Sequence, residues 1–373
     1  MKTVLTAKLV ALLNGHPEEI ENALQWEYVI RVARDAAILP RIAHFLLAAK
    51  QANALPKYAL DHLLAAKRHG ELLAQQVRFE ATELSRLLPE AGQDDMLFLK
   101  GAAYILAGYK VGYGRVFADI DLLVTKRSLT QIERKLLAYG WFTETTDEYE
   151  QKYYRQWAHE IPPLRHIGRG TLLDVHHNIV PIISGNAPQI ELFTHNRRRL
   201  THSVCILSPA SMLLHSAIHL FYQEEYHRGF RDISDLHLMF CEFADDADFL
   251  SQLITLAQQT HFTLELALAV RYTGQMFDTP LPQVQAQQIA GFLPTRLKLV
   301  LLDWMFSRVL QPHHPLCQVP GLTVANALAL FRGHWIKMPL HILIKHTAYK
   351  TYRSVVNLIA GKGALVKSTK NHP

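Results

Sequence analysis

Phe117-Ala118-Asp119-Ile120-Asp121-Leu122-Leu123-Val124 is the stretch that decides the fold. Its apolar residues are those of a buried β-strand, and side chains two apart on a strand share a face. Asp119 and Asp121 therefore project together from one face of an otherwise apolar segment. A lone buried carboxylate is costly, and two neighbouring ones repel. A cation between them resolves both problems. Mg²⁺ suits the position, because it takes one or two carboxylates and completes its shell with water and phosphate oxygens.

Two other segments carry matching chemistry. Residues 96–99 are a short apolar run of strand length, and residues 101–107 follow with helical character. Leu99-Lys100-Gly101 thus stands at a strand-to-helix junction, where glycine lets a ligand approach the backbone and a helix N-terminus favours phosphate. Leu172-Leu173-Asp174-Val175-His176 is a second apolar strand holding one carboxylate. Between these pieces, residues 108–114 contain three glycines and read as a loop. Ser128 is placed to cap a helix running to about Tyr139, and Gly140 to end it. Residues 141–157, rich in aromatics and Thr, read as strand, and residues 164–176 as a hairpin around Gly168-Arg169-Gly170.

Helical periodicity dominates elsewhere. Residues 1–90 read as helices, with Pro40 and Pro56 at breaks or first turns. Ser208-Pro209 is an N-cap followed by a first-turn proline, opening a helix to about Tyr226. Another helix spans 232–243, and more follow between about 247 and 309. Helices, then a strand-rich α/β unit, then helices predict a compact catalytic-type domain flanked by helical regions.

The glycine turn, the Asp-x-Asp on a strand and the lone acid on a later strand together resemble the nucleotidyltransferase superfamily, whose palm domain is the type seen in DNA polymerase beta. FLKGAAYIL (98–106), the run from Arg115 to Val124, LLDVHHNI (172–179) and RDISDLHLM (231–239) are similar to the group called uncharacterised nucleotidyltransferases. The similarity covers roughly residues 95–245 and is more specific for fold than for substrate. It implies an α+β fold, a polymerase-beta-type palm with a mixed β-sheet, flanked by N- and C-terminal helical regions. The expected layout is a helical region at 1–90, the palm at 91–207, a helical domain at 208–310 and a basic amphipathic tail at 311–373.

The resemblance also implies chemistry. Asp119 and Asp121 would hold Mg²⁺ or Mn²⁺, and Asp174 would complete the site and help activate an acceptor hydroxyl. Lys100, Gly101 and Ala102 would line the triphosphate, and Arg115 would contact phosphate or brace the loop. The implied reaction moves a nucleoside monophosphate from a nucleoside triphosphate such as ATP to an acceptor of unidentified kind, a small molecule, protein or RNA, with release of pyrophosphate. Gly101-Ala102 departs from the Gly-Gly or Gly-Ser usual at this turn and lacks one hydroxyl phosphate ligand. The interval from Gly101 to Asp119 is also longer than usual. An alternative reading is a non-catalytic nucleotide-binding or scaffold module whose basic tail docks to a membrane surface or polyanion.

Histidines near these motifs have plainer readings. His176 shares the face of Asp174 and is the site candidate for nucleotide contact, although a hydrogen-bonded structural histidine is the weightier reading. His215 and His219, four apart on a helix, have zinc spacing, but Ser216 stands where a HExxH motif needs glutamate. Structural or substrate-lining roles are expected for both. Arg231, Asp232 and Asp235 read first as a salt-bridged interface.

Composition narrows the setting. The chain has 373 residues, nearly half of them apolar, so a sizeable core is expected. Cys205, Cys241 and Cys317 are far apart and fit neither a zinc site nor a disulfide framework, which suggests a reducing compartment. The N-terminus reads as an amphipathic helix rather than a signal peptide. No uncharged apolar run is long enough to span a bilayer, so a cytoplasmic protein is expected, peripheral at most to the inner membrane surface. Asp303 is the last acidic residue, and nine Lys or Arg follow it. Subtracting that +9 from the net +6 leaves −3 for residues 1–303, so the basic balance belongs to the tail. Its mixed aromatic, aliphatic and basic residues suit an anionic membrane surface or nucleic acid as well as a solvated helix packed on the core.

Overall fold

The computed structural model describes residues 2–49, 55–87, 96–143 and 147–360. The expectations for residues 88–95, 144–146 and 361–373 lie outside that set.

Seven strands form one mixed sheet: β1 (Met96–Phe98), β2 (Asp119–Leu123), β3 (Trp141–Thr143), β4 (Leu164–His166), β5 (Leu172–His176), β6 (Arg198–Arg199) and β7 (Val204–Ile206). Their order across the sheet is β3-β4-β5-β2-β1-β7-β6. β2 lies at the centre, antiparallel to β1 and parallel to β5. Ile120 to Leu123 are all buried. Such a strand is covered on both faces, which is why its sequence is nearly unbroken in apolar residues. The register sets Asp121 opposite Asp174 and Leu123 opposite His176.

Helices wrap this sheet from both chain ends. The N-terminal helices include Leu39–Ala48 and the long Lys57–Leu87, while Pro209–Tyr222 and Gly229–Phe243 lead the C-terminal set. Apolar side chains from Leu5 to Ala329 pack as one continuous core. The chain is therefore α+β, as expected.

Several local signals act as read. Ser208 accepts from the backbone N–H of Ser211 and opens the helix at Pro209. That helix stops at Tyr222, four residues short of the expected end, and the next begins at Gly229. Gly140 ends the Leu129–Ala138 helix with φ +88°. Ser128 precedes that helix but does not cap it, because its hydroxyl donates to the carbonyl of Thr125.

The strand expected over 141–157 is corrected. Among the described residues of this segment only Trp141–Thr143 forms a strand, and Glu148–Gln156 is a helix capped by the Asp147 carboxylate, which accepts from the Glu150 N–H. Tyr149, Tyr153 and Trp157 recur every four residues, a helical spacing that aromatic content alone had disguised. The hairpin around Gly168-Arg169-Gly170 is present as β4 and β5.

The glycines of residues 108–114 allow close packing. A Cβ on Gly112 would stand 2.7 Å from the Tyr104 backbone, and one on Gly114 2.5 Å from that of Pro40. Gly114 also has φ +61°, a conformation that favours glycine.

Part of the basic tail is spent on internal partners. Lys337 pairs with Glu224, and Arg353 with Asp147 and Glu150. Tyr349 stacks on Tyr149 at 3.9 Å between ring centroids. No described helix is long and apolar enough to cross a membrane.

Candidate functional site

β2 and β5 bring three carboxylates to one face of the sheet. Asp119 and Asp121 share a face by strand alternation, and in-register parallel pairing sets Asp174 beside Asp121 on that same face. Lys100 approaches from the start of the Lys100–Ala107 helix, which follows β1 directly. Its backbone is held at φ +46°, a costly conformation for a residue with a Cβ. Its ammonium donates to Asp121 Oδ1 at 2.7 Å. His176 Nε2 reaches the same oxygen at 2.9 Å, and His176 Nδ1 lies 3.3 Å from Glu160 Oε2.

The charges are unevenly neutralised. Burial drives the Asp121 carboxyl up, but the Lys100 ammonium and the His176 hydrogen bond outweigh it and hold the group well below the usual carboxylate range. Asp119 is pushed up by burial and by the charge on Asp121. Asp174 is pushed up to about 7 by burial and by Asp121, Glu160 and Asp119. Burial lowers Lys100 and His176, but the Asp121 charge and the hydrogen bond to it raise both overall. Asp119 and Asp174 thus face negative neighbours that nearby cations, Lys100, Arg231 and Arg115 for Asp119 and His176 for Asp174, offset only in part. A divalent cation would relieve that repulsion, but among the described residues the three carboxylates do not bring ligand oxygens within 4.8 Å of one another.

A cleft of about 230 Å³ opens above β2, lined by Lys100, Gly101, Asp119, Asp121, Arg115 and Arg231 among others. Ser216 and His219, from the Pro209–Tyr222 helix, complete the wall. Ser216 Oγ lies 2.5 Å from Tyr104 Oη, which ties the two helices together at the cleft.

The Gly101-Ala102 turn is buried. Ala102 faces the core and does not line the cleft. A Cβ at Gly101 would make only ordinary contacts, 3.5 Å from Phe117 Cβ. Space alone therefore does not require glycine at 101.

Arg115 is held by acids of the Gly229–Phe243 helix. Its Nε donates to Asp235 Oδ2 at 2.7 Å and its Nη2 to Asp232 Oδ1 at 3.3 Å. Arg41 donates to the other Asp235 oxygen at 2.6 Å. The Arg231, Asp232 and Asp235 cluster is a salt-bridged interface, as the plainer reading expected, and it also forms one side of the cleft.

His215 and His219 form no metal cluster among the described residues. Burial lowers the pKa of both, His215 to about 3. The sequence reading did not single out His159 and Glu160. They precede the hairpin in an irregular segment, and Glu160 forms an isolated bridge to His176. Neither periodicity nor a spacing motif marks them. Only the return of β5 beside that segment brings them to the site.

A mixed sheet with paired acids on its central strand and a lysine-glycine helix start beside them is consistent with a nucleotidyltransferase class of fold. The model of the uncharacterised nucleotidyltransferase family matches residues 22–278, and the chain belongs to that family. No curated protein and no solved structure gives a significant match to it.

Proposed function

We propose that the protein transfers a nucleoside monophosphate from a nucleoside triphosphate to an acceptor hydroxyl or similar group, releasing pyrophosphate. The observation that carries this reading is the cleft lined by Asp119 and Asp121, with Asp174 paired to Asp121 across parallel strands but outside that lining. A Mg²⁺ or Mn²⁺ ion held by Asp119, Asp121 and Asp174 would neutralise phosphate charge and align the in-line displacement. Lys100 and Arg231 line the cleft as cations for the triphosphate. His176 fixes the orientation of the Asp121 carboxylate through its hydrogen bond.

In the displacement the acceptor oxygen bonds to the α-phosphorus and the bond to the β-phosphate bridging oxygen breaks. Asp174 would take the acceptor proton, because a bound cation beside it keeps its carboxyl ionised, the state a base needs. Most of the acceleration then comes from positioning and charge.

The test follows label from each α-labelled nucleoside triphosphate into protein, RNA and small-molecule fractions with Mg²⁺ or Mn²⁺. Transfer that is lost in the Asp119→Asn/Asp121→Asn double variant is expected. Transfer that survives it removes the assigned site. Tight nucleotide binding without pyrophosphate release favours the non-catalytic module instead.

A membrane-surface partner is supported by a second observation. Leu297, Val300, Leu301 and Trp304 form one exposed stripe on the Arg296–Val309 helix. Phe331 and Trp335 stack on each other, exposed, on the Leu322–Lys337 helix. No acidic residue follows Asp303, so this apolar, aromatic and basic surface complements an anionic bilayer. Co-sedimentation with phosphatidylglycerol vesicles but not with phosphatidylcholine vesicles, lost in Phe331→Ser/Trp335→Ser, is expected. Equal binding to both vesicle types, or none, removes the proposal.

A further inference from the structure

Beside the three aspartates lies a second set of ligands, of which the proposed transfer uses only His176, and that only through Nε2. One ring nitrogen each from His159 and His176 and one carboxylate oxygen of Glu160 all lie within 4.8 Å of one another. We infer that His159, Glu160 and His176 form a second metal site, for a zinc-class divalent ion rather than for Mg²⁺.

The geometry between His176 and Glu160 supports this. His176 Nδ1 and Glu160 Oε2 are 3.3 Å apart. Ligands at about 2.0–2.1 Å from a tetrahedral Zn²⁺ are themselves about 3.4 Å apart. Nδ1 is also the nitrogen of His176 left for an ion, because Nε2 is on Asp121 Oδ1. That is the carboxylate–histidine–metal arrangement, in which a carboxylate on the far nitrogen fixes the tautomer and presents the near one to the ion.

His159 supplies an independent observation. Its Nδ1 is shut off from solvent and has no hydrogen-bond partner. A buried polar atom left without a partner costs free energy, and an ion nearby gives the imidazole a use. The segment that carries it is fixed: the His159 carbonyl accepts from the His177 N–H at 2.8 Å, and the Ile161 N–H donates to the Val175 carbonyl at 3.0 Å. Two imidazoles with one carboxylate are a donor set that suits zinc-class ions, whereas Mg²⁺ prefers oxygen ligands. Three protein ligands leave a tetrahedral ion one position for water or substrate, the pattern of catalytic rather than structural zinc sites.

The inference stands apart from the transfer reading, and its test does not read activity. Chelator-stripped full-length protein is titrated with Co²⁺, whose visible d–d absorption reports low-symmetry coordination, and then with Zn²⁺ in competition. In a large excess of Mg²⁺, which occupies the aspartate site, one equivalent of Co²⁺ is expected to bind with a strong visible band and to be displaced by Zn²⁺. Glu160→Gln and His159→Gln are each expected to weaken binding tenfold or more. Asp119→Asn is expected to leave it within about twofold, because Asp119 is not among the ligands. Circular dichroism and thermal melting of each variant confirm that its fold persists. No binding by the wild-type chain, binding unchanged in both Glu160→Gln and His159→Gln, or binding lost in Asp119→Asn alone would overturn the assignment. Failure of nucleotide transfer alone would leave it standing.

Discussion

Asp174→Asn is expected to stabilise the metal-free protein at alkaline pH, although it removes a proposed metal ligand. Burial and the charges on Asp121, Glu160 and Asp119 raise the Asp174 carboxyl from 3.8 to about 7. An acid raised on folding binds its proton more tightly in the folded chain. Its contribution to stability is fully present below about pH 3.8 and is lost as pH rises through about 7. At about 1.36 kcal/mol per pH unit, the full shift corresponds to about 4 kcal/mol. Asp174 keeps some solvent contact, and screening reduces this to about 2 kcal/mol. An unfolding entropy of about 2.1 cal/mol/K per residue makes that a rise of about 2–3 °C in Tm for a chain of this length.

The assay is thermal unfolding of both proteins in chelator at pH 4, 6 and 8. The neutral amide escapes the repulsion, so the variant should melt higher at pH 8 and within about 1 °C of wild type at pH 4. Adding Mg²⁺ at pH 8 should stabilise the wild type more than the variant, since an ion neutralises the same charges. Equal melting at pH 8 would refute the charge argument, as would a gap that does not change with pH.

Lys100→Met should leave the buried Asp121 carboxylate with His176 as its one remaining partner and destabilise the protein by about 3–5 kcal/mol at neutral pH, measured by urea unfolding. Asp235→Asn should cost a similar amount, about 3–5 kcal/mol, because Arg41 loses its charged acceptor and Arg115 one of its two, and should lower the urea midpoint without loss of cooperativity. Gly114→Ala should cost more than about 2 kcal/mol, since its Cβ meets the backbone of Pro40 at 2.5 Å in a left-handed conformation. A melting point unchanged by that substitution would show that the loop is free to move away from Pro40.

Alternation on β2 made its two carboxylates legible, because period two is a local property of extended chain. Ser208-Pro209 and Gly140 were legible for the same reason, since caps act within a few residues. The segment at 141–157 was misread because aromatic content suits a strand, whereas the four-residue spacing of Tyr149, Tyr153 and Trp157 marks a helix. The buried Arg115–Asp235–Arg41 network joins positions up to 194 residues apart in sequence, a separation that no local signal records.

By itself, then, the sequence determined the Asp-x-Asp strand and the lysine-glycine helix start, both set by short-range periodicity and backbone preference, while its family resemblance implied the α+β class. Only the tertiary structure decided that Asp174 stands in register with Asp121 and that Lys100 and His176 share one carboxylate oxygen. It alone brought His159 and Glu160 beside them. The physical reason is that strand order and register follow from burying the whole core at once, while each of these segments alone specifies only its own faces.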